Sequence, residues 1–250
     1  MKGYNISSAL QKVGCFRSLK ISRPLTRQQI LGFQAAFRPS LPYFGSFSAM
    51  SSISSNNQDV DRIITYWFGG SEPQKKWFSG GPAVDAEIKD QFSDLIDKAR
   101  ASQLNSWTEK PQSTLALLIL LDQFSRNVFR GSPLSFSSDS MAVNITIEAL
   151  AKGFDQQVPE IYQQSFFYLP LMHDERLISQ VAAVAVYDSL VARSDPESEA
   201  GKLWNQSKTW GERHRDVILK FGRFPSRNEA LGRESTPEEI EYLKEHPSGF

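Results

Sequence analysis

The chain has 250 residues with 28 basic and 28 acidic side chains, long enough for one well-buried domain or one domain with extensions. The neutral total averages two unlike pieces: residues 1–58 hold seven lysines and arginines and no acid, which leaves 21 basic against 28 acidic residues over 59–250, a net charge of −7. That acidic balance argues against sequence-independent nucleic-acid binding, which needs a cationic surface, and the longest apolar run, Leu115 to Leu121, falls far short of the roughly 20 residues of a membrane span.

Residues 1–58 are basic, rich in serine and without sustained periodicity, the composition of an organellar transit peptide. The continuous apolar stretch of a secretory signal is missing. A leader to mitochondrion or chloroplast is therefore expected over 1–58, with the arginines from Arg17 to Arg38 leaning toward the mitochondrion. The alternatives are a disordered tail on a cytoplasmic protein, or a shorter product begun at Met50. Cys15, the only cysteine, lies in this segment, so a cleaved chain has no thiol for disulfides, thiolate catalysis or Cys-ligated zinc.

From residue 59 onward the elements are helical. Val60, Ile63, Ile64, Trp67 and Phe68 recur at helical spacing and stop at Gly69-Gly70. Trp77-Phe78 is read as a loop anchor closed by Gly80-Gly81-Pro82. Ile88, Phe92, Leu95, Ile96 and Ala99 form one apolar stripe of an amphipathic helix over Val84 to Ala101. Pro111 opens a helix apolar nearly all round through Leu121, hence central, and its polarity switches at Asp122. Asp122 and Arg126 are four apart on one helical face, in reach of an ion pair. Ser138-Asp139 begins the next helix. After the aromatic group Tyr162, Phe166, Phe167, Tyr168 comes a helix expected from about Leu171 to Val191, with Met172-His173-Asp174-Glu175 as its polar opening. In the longest helix, Leu203, Ser207, Trp210, His214, Val217 and Phe221 follow steps of three and four, the spacing of one buried stripe. Thr236, Pro237 and Glu239 have the spacing of a capping box. No strand alternation appears, so the fold class is all-α, a single domain of about seven to nine helices over 59–250.

Three polar groups each follow or interrupt an apolar stretch and are expected to converge on one end of the bundle. They are Asp122, Arg126, Asn127 and Arg130; His173 and Glu175; and His214 with Arg223, Arg227, Asn228 and Arg233. Guanidinium groups grip carboxylate or phosphate bidentately, so the functional reading is an arginine-lined cleft for a small anionic ligand or an acidic peptide. The opposing reading is that these arginines pair with the chain's own carboxylates and lock helix ends. His173, beside two carboxylates, and His214 are the candidate acid–base groups, with Glu175 beside them. Histidines 41 residues apart, with no HExxH motif, give no metal site. Neither a Walker loop nor GxGxxG is present, and no cofactor is implied.

The segments YWFGG at 66–70, KWF at 76–78, LDQFSRNVFRG at 121–131, FFYLPLMHDE at 166–175 and FGRFPSRNEALGRESTPEE at 221–239 resemble the uncharacterised family known as domain of unknown function 924. The resemblance implies a helical fold similar to the tetratricopeptide-like superfamily and supplies no established activity. Asp174 departs from it, standing where the family's commoner form has a serine. Three function classes follow: a binder of a small anion or acidic peptide, a hydrolase or transferase acting on an anionic substrate through a histidine, and a protein-binding scaffold.

Overall fold

The computed structural model describes residues 48–250, so residues 1–47 of the expected leader lie outside the described residues. Every regular element among these residues is helical, the all-α class expected. In chain order they are α1 (Ser48–Phe68), α2 (Pro73–Ser79), α3 (Gly81–Arg100), α4 (Pro111–Leu118), α5 (Ser125–Val128), α6 (Asp139–Ala151), α7 (Ile161–Ser165), α8 (Leu169–His173), α9 (Leu177–Arg193), α10 (Glu199–Phe221) and α11 (Pro237–Glu245). With the four- and five-residue turns α5, α7 and α8 set aside, the helices fall within the expected number. The boundary that composition places at residue 58 falls inside α1.

The core forms where the apolar periodicity places it. Ile88, Phe92, Leu95, Ile96 and Ala99 of α3 are the buried face of that helix. They meet Val60, Ile63 and Trp67 of α1 and the all-round apolar α4 in one hydrophobic cluster. Aromatic rings tie the layers together by edge contacts, which favour the ring quadrupoles: Trp67 lies 5.2 Å from Phe124, and Trp77 5.1 Å from Phe166. Trp77 belongs to the short helix α2 and not to a loop. Pro73 at its first turn supplies the fixed φ that a helix start needs, and the indole Nε1 of Trp77 donates to the Trp67 carbonyl at 2.9 Å.

Two local departures from regular helix position the site. Between α4 and α5 the chain passes through a π-helical turn, Ile119–Phe124, which contains Asp122; such widened turns recur at functional sites. The helix expected from about Leu171 is broken. Asp174, Glu175 and Arg176 leave the helical path between α8 and α9. The Asp174 carboxylate accepts from the Arg176 Nε at 2.6 Å and from the Ser179 hydroxyl at 2.5 Å, which fixes the break. So His173 ends one helix and does not open another.

Helices α9 and α10 pack along their length as a hairpin joined by residues 194–198. Element lengths elsewhere do not repeat as uniform hairpins. At the end of α10, Gly222 takes a left-handed conformation, φ 70°, and its N–H donates to the Ile218 carbonyl. This is the turn that glycine makes without a Cβ penalty, and it directs the arginine-rich segment 223–233 back across α8 and α6.

Candidate functional site

The buried carboxylate of Asp122 organises the site. It is 1 % exposed and accepts from His173 Nδ1 at 2.8 and 2.9 Å, from Arg126 Nη2 at 3.1 Å and from Gln123 Nε2 at 2.5 Å. Burial by itself raises a carboxyl's pKa. Here the charges of His173 and Arg126, with the hydrogen bonds from His173 and Gln123, overcome burial and hold Asp122 well below the usual carboxylate range. An ionised Asp122 is acceptor-only, so His173 carries a proton on Nδ1 when it bonds there. His173 Nε2 makes no hydrogen bond to the chain among the described residues.

Behind this pair the charges close into a network. Arg126 Nη2 also donates to Asp139 at 2.9 Å, and Arg227 bridges Asp139 at 3.0 Å and the His173 carbonyl at 2.6 Å. The Arg227 guanidinium lies between the rings of Phe136 and Phe224, 4.5 and 4.6 Å from their centroids. Burial and the nearby Arg126 lower its pKa to about 10, still protonated at neutral pH. Two carboxylates and two guanidiniums thus balance formally.

The other loop residues form a second fastening. Glu175 takes both terminal nitrogens of Arg233, at 2.8 and 2.9 Å, and the Phe224 N–H at 2.8 Å. Arg233 Nε donates to Asn228 Oδ1 at 3.0 Å. Arg223 pairs bidentately with Glu239, at 2.7 and 2.8 Å, and Asn228 donates to the same carboxylate. Glu239 also completes the capping box with Thr236. Arg223, Arg227, Asn228 and Arg233 therefore bind the fold's own groups, and none of them, nor Glu175, lines the cavity described next.

A cavity of ≈ 930 Å³ opens beside His173, within the size range of ligand sites. One wall is the face of the π turn and α5, with Gln123, Arg126, Asn127 and Arg130. Asn127 and Arg130 are held from behind by Asp85 of α3, at 2.7 Å for the amide and 2.7 and 2.9 Å for the guanidinium. Trp77, Phe78, Tyr162, Phe166, Leu169 and Met172 make an aromatic and apolar wall. The third wall is α10. Leu203, Ser207, Trp210 and His214, which spacing marks as a buried stripe, instead face this cavity. Val217, the next residue of that stripe, is buried as expected, and Phe221 packs against it; the rest of the helix's core packing is done by the neighbouring Gly201, Trp204, Gly211 and Ile218. His214 belongs to both, with its ring centroid 6.3 Å from that of His173. His214 Nδ1 contacts the Trp210 carbonyl at 2.8 Å, an acceptor, so that nitrogen carries the proton. Burial, and then the charge of His173, lower its pKa to about 3, so the ring is neutral at pH 7. Its face stacks on Phe250 at 3.7 Å.

The three polar groups expected to converge do meet around Asp122 and Asp139, but only Arg126, Asn127, Arg130, His173 and His214 reach the cavity. Gln123, Trp210, Tyr187 and Phe250 join them there, and Asp85 and Asp139 hold the wall. Asp85 lies 42 residues from Asn127 and Asp139 lies 88 from Arg227; no local spacing marks such partners. Phe250 could be singled out only by its aromatic character. Among the described residues no group of three or more His, Cys, Asp or Glu side chains is placed to hold a metal ion.

The profile of a family described as "Bacterial protein of unknown function (DUF924)" matches residues 63–247. This chain belongs to the DUF924 family. A solved structure of a protein of unknown function from Agrobacterium tumefaciens is similar to it, with 36% sequence identity and a TM-score of 0.66, covering 76% of this chain and 99% of the bacterial one. No curated protein matches it. The matched span contains the whole π turn, His173 and the arginine segment, whereas Phe250 lies beyond it. No helix among the described residues is long and apolar enough to cross a membrane.

Proposed function

We propose that the cavity binds a small organic anion, a carboxylate or phosphate ester, and that His173 works on it as a general acid–base. The observation that carries this reading is the placement of charge. Arg126, Arg130 and Lys202 line the cavity against a single carboxylate, Glu199, while Asp85, Asp122 and Asp139, which hold two of those arginines, sit behind the wall. A ligand meets the cations and not their partners. His173, oriented through Nδ1 by an ionised carboxylate, offers Nε2 as a base or, protonated, as an acid. This Asp–His arrangement fixes tautomer and ring orientation in the way general bases require.

Binding is tested by thermal shift of the full chain with phenyl phosphate and phenylacetate, with 2-phenylethanol as neutral control. A ligand at about one hundred times its Kd stabilises by about 2.7 kcal/mol, roughly 5 to 10 °C for a domain of this size. The expected result is a shift with the anions, reduced in Arg130→Gln and by salt, and none with the alcohol. Equal shifts for all three probes, or none, contradict the reading. Turnover of p-nitrophenyl phosphate tests the acid–base role. His173→Gln, which keeps a donor toward Asp122, is expected to abolish it with little change in thermal midpoint.

We also propose that residues 1–58 are an organelle-targeting leader. Their acid-free, basic composition supports it, as does the start of the family match at residue 63. A fluorescent protein fused behind residues 1–58 is expected in mitochondria or plastids; diffuse cytoplasmic signal contradicts the assignment.

A further inference from the structure

The lining of the cavity runs along α10. Its α10 wall is a single stripe from Glu199 and Lys202 through Gln206, Ser207 and Trp210 to His214, fifteen residue steps or about 22 Å of helix. The walls differ in character along that length. The α10 side carries the Gln206 amide and the Ser207 hydroxyl between Leu203 and Trp210, and Gln206, like Gln74 elsewhere in the lining, makes no hydrogen bond to the chain among the described residues. The facing side is aromatic, and Phe78, 83 % exposed, stands at its lip.

An alkyl chain would match the aromatic wall but strip water from Gln206 and Ser207 and leave them unpaired, which costs free energy. An extended peptide meets both walls. Its backbone N–H and C=O groups need partners when they leave water, and amide side chains both donate and accept. Alternate side chains of an extended strand point to opposite faces, which sets every second one against the aromatic wall. At about 3.3 Å per residue, about 22 Å holds six or seven residues. The side chains of Lys202 and Arg130, 66 % and 62 % exposed, have their carboxylate partners Glu197 and Asp85 outside the lining, and they set the sign of the charge such a segment should carry.

We propose that the cavity takes an extended acidic peptide segment of six or seven residues; this rests on the anion-binding reading of the same cavity and names its ligand class. The test is fluorescence anisotropy of the full chain with labelled Asp-Leu repeat peptides of four, six and ten residues. Their Lys-Leu counterparts and a six-residue Asp-Leu peptide N-methylated at each leucine serve as controls. Affinity is expected to rise about tenfold from four to six residues and to level off by ten. N-methylation should lower it about tenfold through lost backbone hydrogen bonds, and Gln206→Leu should weaken the six-residue peptide but not phenyl phosphate. Affinity independent of length and of N-methylation overturns the proposal. Phenyl phosphate bound without the peptides overturns the peptide assignment and leaves the anion site standing. Asp-Leu and Lys-Leu peptides bound alike, with the length dependence intact, keep the extended peptide but overturn the requirement for acidic residues and the anion-binding reading beneath it.

Discussion

Replacing Arg227 by methionine separates an arginine that holds the fold from one that holds a ligand. The residue is 9 % exposed, and its guanidinium donates to Asp139 at 3.0 Å and to the His173 carbonyl at 2.6 Å and lies over two phenylalanine rings. Methionine keeps the stem and much of the volume but neither donor. Removing one partner of a buried ion pair costs about 3 to 5 kcal/mol, consistent with two hydrogen bonds to charged groups at about 1.5 to 3 kcal/mol each. For a domain of this size that lowers the thermal midpoint by roughly 6 to 20 °C. Urea unfolding of Arg227→Met, Asp139→Asn and the double variant gives the coupling directly. The double variant is expected to be more stable than the sum of the single losses implies, by about 0.5 to 3 kcal/mol. A loss below about 0.5 kcal/mol, typical of a surface substitution, or strict additivity, would refute the reasoning and return Arg227 to the list of ligand groups.

Two further outcomes follow from the charges around the cavity. His214 has its folded pKa lowered from 6.5 to about 3, so between those values the unfolded chain binds a proton that the native chain does not, and stability falls as the solution is acidified through that window. One such proton gives a slope of about 1.4 kcal/mol per pH unit; in His214→Phe this part of the slope should vanish, and identical pH profiles for the two proteins would contradict the assignment. For Glu175 and Arg233, joined bidentately, a double-mutant cycle with Glu175→Gln and Arg233→Gln should give a coupling of about 0.5 to 3 kcal/mol by denaturant unfolding, and a coupling of zero would remove the pair from the loop's fastening.

Much of the fold was legible because its signals are local. The α3 stripe, the all-round apolar α4 and the capping box at Thr236 depend on spacings of three and four residues, and each appears in the structure as expected. The Asp122–Arg126 pair was legible for the same reason. Misreadings arose where one spacing has two physical outcomes. Leu203, Ser207, Trp210 and His214 share a helical face whether that face meets core or cavity, and periodicity does not distinguish a packed wall from an open one. The break at Asp174 depends on that carboxylate capturing Arg176 and Ser179, side-chain bonds that compete with continued helix. As for the arginine segment, its cations announce a need for anions, but whether these are ligand or protein is decided by Glu175, Glu239 and Asp139, placed by tertiary packing.

Asp122 holds His173 through Nδ1, and Nε2 of this cavity-lining residue makes no hydrogen bond to the chain among the described residues. Two-bond ¹⁵N–¹H spectra of histidine-labelled protein at mildly alkaline pH, assigned with His173→Gln and His214→Phe, report which nitrogen carries the proton. Protonated Nδ1 and bare Nε2 at His173, the latter shifting on addition of phenyl phosphate, are the predicted result. A proton on Nε2 with Nδ1 bare, or an Nε2 signal indifferent to the anion, would contradict it.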